Sequence, residues 1–545
     1  MINWKTWMVW WSLLFSVTTA EFFTSLSRIK GLVRLESALS NSLDNYLEQM
    51  SEPPEVLRQF ADRVRKEMKI AAGDIEKYAF HPINSFLLVR RFVRHWTELA
   101  TFLSEGSPND LYSELMINRR AFPTSKDFIG SLNAILRIQE VYNLSARALA
   151  DGDLHQTIPS RGLGADECYE LGIGSNDQEN YEGVTGWMKE ALKRMSPPYE
   201  YSGALTKIDV LEYLAWAEYK VGLLEDAILH TKDILDEDPT SKQAHINLGH
   251  FQAEVMQRNT NASHSTRNKL DNKKNKKDFE LKYERLCRGE TRKSQRQRDK
   301  LSCYYNRNRP TQVLRPVKVE TLNSDPDLYL FHDVISESEI ELIKKLAKPQ
   351  LKRAFVTNTD TGKEFKADYR ISQSAWLDDN DSFVVKKISQ RIQTTTGLSL
   401  DSEHSEALQK NSVNSQVKEN DSNDFIDVIS YEVANYGMGG HYEPHHDFLQ
   451  NLDGSLPVDD IDGDRIATVL FYMSDVEAGG ATVFLDAEVI VYPRKGDAVF
   501  WFNLKKDGSP DVKTLHAACP VVIGSKWGKC AVHTSFDSLT YNTSG

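Results

Sequence analysis

The pattern of apolar residues changes near residue 325 of this 545-residue chain, and this change constrains the fold more than any other feature. Before it, apolar side chains recur every three or four residues, which is typical of amphipathic helices. After it, short runs rich in Val, Ile and aromatic residues alternate with Gly and Asp, which is typical of strands and turns. The sequence therefore predicts a helical N-terminal part and a strand-rich C-terminal part.

The first helical stretch carries a continuous apolar seam. Leu32, Leu35, Leu39, Leu43 and Tyr46 are spaced by three and four residues, as in a coiled coil or on one face of an amphipathic helix. Two alternatives stay open: the core of a helical bundle within one chain, or a short dimerising coiled coil. Residues 21–155 are predicted to form this N-terminal helical, dimerisation domain.

Residues 160–258 carry a repeat of helical pairs. Small and apolar residues recur there in the tetratricopeptide register, in which small side chains permit close helix packing. The positions that fit this register are Leu214, Ala215, Tyr219, Gly222, Ala227, Ile228, Asp238 and Pro239, with a looser copy around Leu171, Gly172, Tyr181, Ala191 and Leu192. A further helix near 244–253 is predicted to end the array.

Three aromatic residues on one of these predicted helices recur every third position. Tyr213, Trp216 and Tyr219 share a face beside the packing face of Leu214 and Ala215. Such a stripe is more often core than binding site, but here the packing positions are already taken. We therefore predict that the stripe lines the concave groove of the repeats. Aromatic walls suit a polyproline II peptide, whose preformed helix binds with little loss of entropy.

The strand-rich part begins with a helix and continues as short strands. Ser336 and Glu339 form a capping-box pattern, and β-type runs follow at 369–377, 428–433, 466–473, 489–492 and 498–502. A polar insertion at 404–424 interrupts them and is predicted to be a loop. The predicted fold class is α+β multidomain, with an N-terminal all-α region that carries tetratricopeptide-like repeats and a C-terminal double-stranded β-helix (jelly roll) at 326–537.

The first twenty residues are typical of a secretory signal peptide. Lys5 precedes an apolar run at 7–17, and Thr18 to Ala20 supply small residues for cleavage. A membrane anchor is the alternative, but the run is short for a bilayer span, and no other stretch is apolar enough to cross a membrane. Residues 1–20 are therefore predicted to be removed. Asn-x-Ser/Thr sequons fit a secretory route, at Asn143, Asn261, Asn380, Asn420 and Asn542.

A secretory route permits disulfides, and the chain has five cysteines. Cys287 and Cys303 flank a basic, polar segment with little core of its own, so we predict a disulfide between them in a basic linker at 259–325. Closing a loop of that size contributes about 3 kcal/mol in the chain-entropy view. Cys519 and Cys530 could form a second bridge, which would leave Cys168 unpaired, although spacing alone does not fix connectivity. The net charge of −12 argues against nucleic acid as the main partner.

Two histidines and a carboxylate in the strand-rich part are the ligand types of a non-haem Fe(II) centre. His445 and Asp447 are two residues apart and so project from one face of a strand, and His516 follows on a later strand. His446 points to the other face and is a poor ligand. His-x-Asp alone is a weak signal in a chain with fourteen histidines. Lys526 adds a cation for the far carboxylate of a 2-oxoglutarate co-substrate.

The surrounding sequence resembles a known family. The segment 435–448, Asn-Tyr-Gly-Met-Gly-Gly-His-Tyr-Glu-Pro-His-His-Asp-Phe, looks like the iron-binding strand of prolyl 4-hydroxylases. Segments 465–476, 477–484, 495–501 and 516–527 continue the resemblance in order, and 22–26 and the repeat region match as well. The chain is similar over almost its full length to collagen prolyl 4-hydroxylase alpha subunits.

The resemblance implies a role for each matching position. His445, Asp447 and His516 would bind Fe(II), and Lys526 would pair with the C5 carboxylate of 2-oxoglutarate. Tyr436 would add a hydroxyl to that carboxylate, and Thr482 is a further candidate for the same pocket. The implied reaction uses O2, yields 4-hydroxyproline, succinate and CO2, and needs L-ascorbate to re-reduce iron after uncoupled turnovers.

The resemblance also implies partners and a compartment. The family assembles as an alpha2-beta2 tetramer in which the beta subunit is protein disulfide isomerase. The tail 541–545 has no Lys-Asp-Glu-Leu retention signal, so residence in the endoplasmic reticulum lumen would depend on that partner. His441 and His446 stand where the family more often has Gln and Phe, and the family's last cysteine is missing. These departures bear on substrate preference and efficiency more than on the reaction.

Two other readings of the function stay open. One is a related 2-oxoglutarate hydroxylase with a different target residue, such as lysine. The other is a non-catalytic peptide-binding subunit, which would predict a broken triad or a lost lysine. The intact set of His445, Asp447, His516 and Lys526 favours the enzyme, and a hydrolase with the same ligands would have no use for the lysine.

Overall fold

The computed structural model describes residues 23–105, 109–154, 158–197, 199, 205–261, 278–293, 301–357, 364–365, 367, 369–398, 430–448 and 465–534. The predicted signal peptide, the insertion at 404–424 and the sequons at Asn420 and Asn542 lie outside these residues, as does the side chain of Asn261. Asn143 and Asn380 are exposed, and all five sequons stay predictions. Among the described helices, none combines the length and apolar character needed to cross a membrane.

The N-terminal region is a bundle of helices. They are α1 (Leu26–Glu48), α2 (Glu55–Gly73), α3 (Ile75–Phe80), α4 (Pro82–Arg91), a π-helical turn (Phe92–Trp96), α5 (Thr97–Ser104), α6 (Asp110–Asn118), a 3-10 turn (Arg119–Ala121), α7 (Ser125–Val141) and α8 (Ala146–Asp151). Leu32, Leu39 and Leu43 of the predicted seam are buried, and α1 contacts α2, α3 and α6 of the same chain. The seam thus forms part of a bundle core, and dimerisation stays a prediction.

The repeat region consists of two helix pairs and a final helix. They are α9 (Ala165–Asp177), α10 (Tyr181–Arg194), α11 (Lys207–Val221), α12 (Leu224–Glu237) and α13 (Lys242–Asn261). Gly222 ends α11 at a φ of 87°, a left-handed conformation that favours glycine. Leu214, Ala215 and Ala227 are buried as the register predicts, and α13 packs against α12 as the predicted terminal helix. Arg90 of α4 donates to Glu170 at 2.6 Å, which links the bundle to α9.

The strand-rich region is built from short antiparallel strands. They are β1 (Cys303–Asn306), β2 (Val317–Ser324), β3 (Asp327–His332), β4 (Lys352–Arg353), β5 (Val356–Thr357), β6 (Glu364–Phe365), β7 (Arg370–Ile371), β8 (Gln373–Asp378), β9 (Ser430–Tyr436), β10 (His441–His445), β11 (Arg465–Tyr472), β12 (Val476–Gly479), β13 (Thr482–Phe484), β14 (Val489–Val491), β15 (Ala498–Phe502), β16 (His516–Ala518), β17 (Val521–Gly524) and β18 (Lys526–Thr534). The accompanying helices are α14 (Asp278–Cys287), α15 (Pro310–Leu314), α16 (Glu337–Ala347) and α17 (Phe383–Thr396), with 3-10 turns at Lys348–Gln350 and Val512–Thr514.

Two sheets of this region face each other. The nine-stranded sheet has the order β1-β2-β3-β15-β11-β18-β9-β8-β4, and the five-stranded sheet has the order β14-β13-β16-β10-β7. Their inner faces share an apolar cluster that includes Tyr472 of the large sheet and Phe484 of the small one. Helices α16 and α17 cover the outer face of the large sheet. Ser336 and Glu339 form the predicted capping box at the start of α16, with 2.9 Å from the Ser336 N–H to Glu339 Oε2.

The predicted domain boundary at residue 326 is wrong. Strands β1 and β2 belong to the nine-stranded sheet, so the boundary would fall between two paired strands. Strands β1 and β2 and helix α14 of the predicted linker at 259–325 are accordingly part of the strand-rich region or packed against it. Strand β1 is an edge strand with exposed residues, so it lacks the alternation of apolar and polar residues by which a half-buried strand is recognised.

The predicted disulfide between Cys287 and Cys303 is also wrong. Cys287 is bonded to Cys519, with 5.6 Å between their Cα atoms, which also excludes a bridge between Cys519 and Cys530, the possibility that the sequence left open. Cys303 is free and exposed, and Cys168 is free and buried. The physical reason is the position of α14. It packs against the outer face of the small sheet, where Tyr283 and neighbouring apolar residues share a cluster with β13 and β16, and this brings Cys287 to β16.

The helical region packs directly onto the turn between β9 and β10. A Cβ at Gly437 would lie 2.4 Å from the carbonyl oxygen of Thr24, and a Cβ at Gly439 would lie 2.6 Å from the Cβ of Ala134. Only glycine leaves room for so close an approach. Arg137 of α7 donates to the carbonyl of Gly439 at 3.0 Å. The start of β10 is thus held by residues of the N-terminal bundle.

Candidate metal centre

The predicted triad comes together between the two sheets. His445 ends β10 and His516 begins the adjacent β16, where the two residues are register partners. Asp447 follows the end of β10, and its Oδ1 lies 3.7 Å from Nε2 of each histidine. A register shift in β10 between Tyr442 and His445 turns the ligand end of the strand inward. In the part of the chain that the structure describes, these three residues are the one group of His, Cys, Asp and Glu side chains that could hold a metal ion.

Both histidines are oriented by backbone carbonyls. Nδ1 of His445 lies 2.7 Å from the carbonyl oxygen of Glu443, and Nδ1 of His516 lies 3.0 Å from that of Thr514. Each Nδ1 therefore carries the proton and donates it, which leaves the Nε2 lone pair directed at the triad. Burial lowers the pKa of His445 to about 3 and also lowers the pKa of His516. Both imidazoles are thus neutral, as metal ligands must be.

The aspartate is held by a chain of polar side chains. Thr468 of β11 donates to Oδ2 of Asp447 at 2.7 Å, Asn503 donates to Thr468 at 2.9 Å, and the indole of Trp501 donates to Asn503 at 2.7 Å. Burial raises the pKa of Asp447, but the neighbouring histidines, Arg465 and the hydrogen bond from Thr468 together outweigh burial, and the pKa is lowered overall. The carboxylate is therefore ionised, with one oxygen fixed and the other directed at the histidines.

A buried lysine lies near His516 of the triad, at the start of β18. Lys526 is 2% exposed, and its Nζ donates to the hydroxyl of Thr482 at 3.1 Å. None of the ion pairs in the described residues involves Lys526, and burial lowers the pKa of its ammonium to about 7. A buried cation without a counter-charge is costly, so the pocket favours an anionic ligand. The geometry fits the carboxylate-binding role that the resemblance implies.

Two tyrosines, Tyr436 and Tyr472, lie beside Lys526. The sequence predicted only Tyr436. Tyr436 pairs with Lys526 across β9 and β18, and its ring centre is 5.7 Å from Nζ. Tyr472 lies equally close and donates to Thr482 at 2.8 Å. The missed signal is the alternation along β11, which places Thr468 and Tyr472 on the same inward face. Thr468 is also a polar residue between two apolar neighbours, Ala467 and Val469.

The other side of the centre carries a half-buried ion pair that the sequence did not indicate. Arg370 of β7 donates to Glu432 of β9, and its guanidinium lies 5.0 Å from the ring centre of Tyr442. The ring of Tyr442 stacks on that of His445, with 3.5 Å between centroids. The ring of Tyr442 thus packs against the imidazole of His445, and the ion pair of Arg370 and Glu432 holds Tyr442 in place.

The extra histidines on the metal strand are not part of the centre. His441 is buried on the outer side of β10, with Nε2 3.8 Å from a carboxylate oxygen of Glu443. Burial lowers its pKa to about 4. Nε2 of His446 lies 2.9 Å from the carbonyl oxygen of Val512, and its ring stacks on Phe448. Both side chains point away from the triad.

The predicted aromatic groove is present in the repeat region, with one difference. Tyr213 and Trp216 line a cavity of about 400 Å³ together with residues of α9, α12 and α13. Tyr219 instead stacks on Phe251 of α13, with 4.7 Å between centroids, and is outside the cavity lining. Trp216 is 38% exposed. The groove therefore offers two aromatic side chains, while the third helps to pack the last helix.

The fold and the centre define a 2-oxoglutarate-dependent Fe(II) dioxygenase, because a double-stranded β-helix holds a His-Asp-His triad beside a buried lysine. Residues 431–532 match the 2OG-Fe(II) oxygenase superfamily, 25–156 the prolyl 4-hydroxylase alpha-subunit N-terminal region, and 165–258 the prolyl 4-hydroxylase peptide-substrate-binding domain. The chain belongs to the prolyl 4-hydroxylase alpha-subunit family, as its relatives also show.

These relatives match nearly the whole chain. The chain is 37% identical over 539 residues to prolyl 4-hydroxylase subunit alpha-1 of Homo sapiens, and the matched region covers 95% of this chain and 96% of that protein. The subunit alpha-1 of Gallus gallus is 38% identical, with 93% of this chain and 95% of that protein covered. The subunit alpha-1 of Caenorhabditis elegans is 34% identical, with 93% and 88% covered. The predictions of family, fold class and enzyme class are confirmed.

Proposed function

We propose that this chain hydroxylates C4 of proline in collagen-like or other proline-rich secretory peptides, with conversion of 2-oxoglutarate and O2 to succinate and CO2. The observation that carries the proposal is the combination, in one chain, of an intact metal centre with a repeat domain of the prolyl 4-hydroxylase peptide-binding type. The aromatic groove suits an extended proline-rich chain, because such a peptide is already in its bound conformation.

The side chains of the centre fit Fe(II) and 2-oxoglutarate. His445, Asp447 and His516 would hold the metal on one face, which leaves its other positions for the 2-oxo acid and O2. Bound Fe(II) would supply the redox chemistry that activates O2 for attack on the proline C–H bond. Lys526 would hold the far carboxylate, with Thr482 and Tyr436 beside it, and so orient the co-substrate toward the metal.

The finer assignments are part of the same proposal. L-ascorbate would re-reduce iron after uncoupled turnovers, and protein disulfide isomerase would be the beta subunit of an alpha2-beta2 tetramer. The compartment would be the endoplasmic reticulum lumen, which agrees with a disulfide that joins Cys287 and Cys519. The related hydroxylase with another target residue and the non-catalytic subunit are the alternatives that an activity assay separates.

Activity is expected to depend on both peptide and iron. The full chain, co-expressed with protein disulfide isomerase, should release succinate from 2-oxoglutarate faster when a Pro-Pro-Gly repeat peptide is added, and mass spectrometry should show one added oxygen on proline. Chelation of iron should abolish both signals, because the triad holds the metal through three ligands only. Release of succinate that the proline peptide does not stimulate would contradict the proposal.

The groove is expected to set the KM for the peptide. Replacing both Tyr213 and Trp216 with alanine removes the aromatic surface of the groove, so the KM for the peptide should rise about 10-fold or more, as for two stacked aromatic contacts of about 1 kcal/mol each. The KM for 2-oxoglutarate should not change. Leu229→Ala serves as the control, since Leu229 is also an exposed apolar residue of this repeat but is outside the groove lining. An unchanged KM for the peptide in the double variant would refute the groove.

A further inference from the structure

Three polar side chains behind Asp447 are sealed from solvent. Thr468, Trp501 and Asn503 are each at most 1% exposed, and together they form the chain of hydrogen bonds that ends at Oδ2 of Asp447. Burial of polar groups is costly unless each group finds a partner. A sealed chain of three such groups that ends on a metal ligand therefore points to a role besides packing.

The direction of this chain is fixed by its first member. The indole N–H of Trp501 can only donate, and it donates to the side-chain oxygen of Asn503 at 2.7 Å. The amide nitrogen of Asn503 is therefore turned to Thr468, and it donates to the hydroxyl oxygen there at 2.9 Å. The single proton of the Thr468 hydroxyl is then left for Oδ2 of Asp447, at 2.7 Å. The indole thus decides that the carboxylate receives a hydrogen bond on this oxygen.

A hydrogen bond on Oδ2 restricts how Asp447 can bind a metal ion. A carboxylate can bind a metal through one oxygen or through both. Here Oδ1 lies 3.7 Å from Nε2 of His445 and of His516, whereas Oδ2 is held on the side of Thr468. Binding through both oxygens would require Oδ2 to give up its donor in a site without water, which is costly. The chain therefore favours binding through Oδ1 alone.

The backbone of Asn503 is connected to another ligand, His516. The carbonyl oxygen of Asn503 accepts from the N–H of Asp511 at 2.8 Å, and the carbonyl oxygen of Asp511 accepts from the N–H of Thr514 at 3.0 Å. The carbonyl oxygen of Thr514 accepts from Nδ1 of His516 at 3.0 Å. The ring of Trp501 also contacts this imidazole, with 4.8 Å between centroids. Asn503 is thus fixed relative to the centre, and its amide has little freedom to move away from the threonine hydroxyl.

We infer that Trp501 and Asn503 are positioning residues that, through Thr468, restrict Asp447 to binding the metal by one oxygen. The inference rests on the proposed function and deepens it, because an oxygenase of this class needs three metal positions for the 2-oxo acid and O2. An aspartate bound through both oxygens would leave two. Neither positioning residue belongs to the triad, and their effect reaches the centre only through the threonine hydroxyl.

A count of the waters on bound Mn(II) tests the inference without catalysis. Mn(II) favours octahedral coordination, so beside the triad it should carry three waters in the full chain co-expressed with protein disulfide isomerase, when no co-substrate is present. The relaxation rate of water protons per bound Mn(II) measures that number. Thr468→Val removes the hydroxyl with little change of shape and frees Oδ2, so the enhancement of this rate should fall by about a third, from three waters to two. Thr468→Ser keeps the hydroxyl and should restore the parent value.

The two positioning residues are tested by variants that keep the threonine. Trp501→Phe removes the indole N–H but keeps a ring against His516, and Asn503→Leu removes the amide. Both should lower the relaxation enhancement, but by less than Thr468→Val, because the hydroxyl remains and is only no longer directed at the carboxylate.

Thr231→Val is the matched control. Thr231 is a buried threonine of the repeat region whose hydroxyl donates to a backbone carbonyl of its own helix at 2.6 Å. Its loss should lower the thermal stability about as much as Thr468→Val does and leave the relaxation enhancement unchanged.

The parent enhancement per bound Mn(II) in Thr468→Val would overturn the inference. If that variant binds no Mn(II), the parent enhancement in both Trp501→Phe and Asn503→Leu would overturn it instead. The water count also separates this result from failure of the proposed function, in which the parent would carry three waters and lose one in Thr468→Val without hydroxylating proline.

Discussion

Replacing His445 with alanine is expected to lower peptide-dependent succinate release by more than about 100-fold, since loss of a direct ligand exceeds the 10- to 100-fold cost typical of an outer partner. Two ligands would remain for the metal, and the stacking of His445 on Tyr442 would be lost. Iron content, measured on the purified protein after dialysis, should fall in parallel. Asp447→Ala and His516→Ala should behave in the same way, because all three groups meet at one point.

The next histidine provides a matched control for this prediction. His446→Ala changes an imidazole one residue away, but that ring contacts the Val512 carbonyl and Phe448 on the other side of the chain. Its succinate release and iron content should stay within about twofold of the parent, as for a substitution away from the site. Full activity of His445→Ala, or equal loss in both variants, would mean that the triad is not the metal site.

Replacing Lys526 with alanine is expected to raise the KM for 2-oxoglutarate roughly 10- to 150-fold, the range of about 1.5–3 kcal/mol for a hydrogen bond to a charged group. The reason is that Lys526 lacks an acidic partner in the described structure and would lose its anionic ligand. The KM for the peptide should change little. Steady-state kinetics with each substrate varied in turn measures both values.

The low pKa of Lys526 adds a dependence on pH to this prediction. In the free pocket the ammonium loses its proton at about pH 7, while a bound carboxylate would hold the proton to higher pH. The KM for 2-oxoglutarate should therefore be lowest below pH 7 and rise up to about 10-fold per pH unit above it, as linkage to one proton requires. Lys526→Arg should flatten this profile, because a guanidinium stays protonated.

A second buried lysine on the same strand serves as the control. Lys529 is three residues along β18, and its Nζ lies 3.8 Å from the ring centre of Tyr431, on the face covered by α17. Its pKa is also lowered to about 7 by burial. Lys529→Met should leave the KM for 2-oxoglutarate unchanged and keep its rise with pH. A shift of KM equal to that of Lys526→Ala would show that the effect comes from the sheet and not from the pocket.

The metal centre was predictable because its residues lie in short segments with a distinctive order. His445 and Asp447 come from one segment, and strand pairing brings His516 beside them. Partners that depend on the packing of separate strands were not predictable. Thr468, Tyr472 and Arg370 have ordinary strand positions in sequence. Only the packing of the strands shows that they contact the triad residue Asp447 or its neighbours Thr482 and Tyr442.

The fold class was predictable from the sequence, but the contacts between separate parts of the fold were less so. Periodicity indicated the helices and repeats, because each buries a face of its own at a regular spacing. The disulfide was assigned to the wrong partner, since Cys287 and Cys303 are close in sequence but α14 carries Cys287 to the small sheet. The edge strand β1 was missed because both its faces meet solvent. Tyr219 was predicted to line the groove because the spacing shows that it lies on the same helix face as Tyr213 and Trp216. The spacing does not show that α13 covers that face at Tyr219.

The glycine turn before β10 has a consequence for how this enzyme can be divided. Gly437 and Gly439 contact Thr24 and Ala134 so closely that a larger residue on either side would clash with the other. Tyr142 donates to the carbonyl of Pro520 at 2.6 Å, next to β16. The strands that carry His445 and His516 are therefore both braced from outside their own domain. The oxygenase domain is therefore not expected to fold correctly when it is moved alone into a relative. A chimera would also need the N-terminal helical residues that contact it.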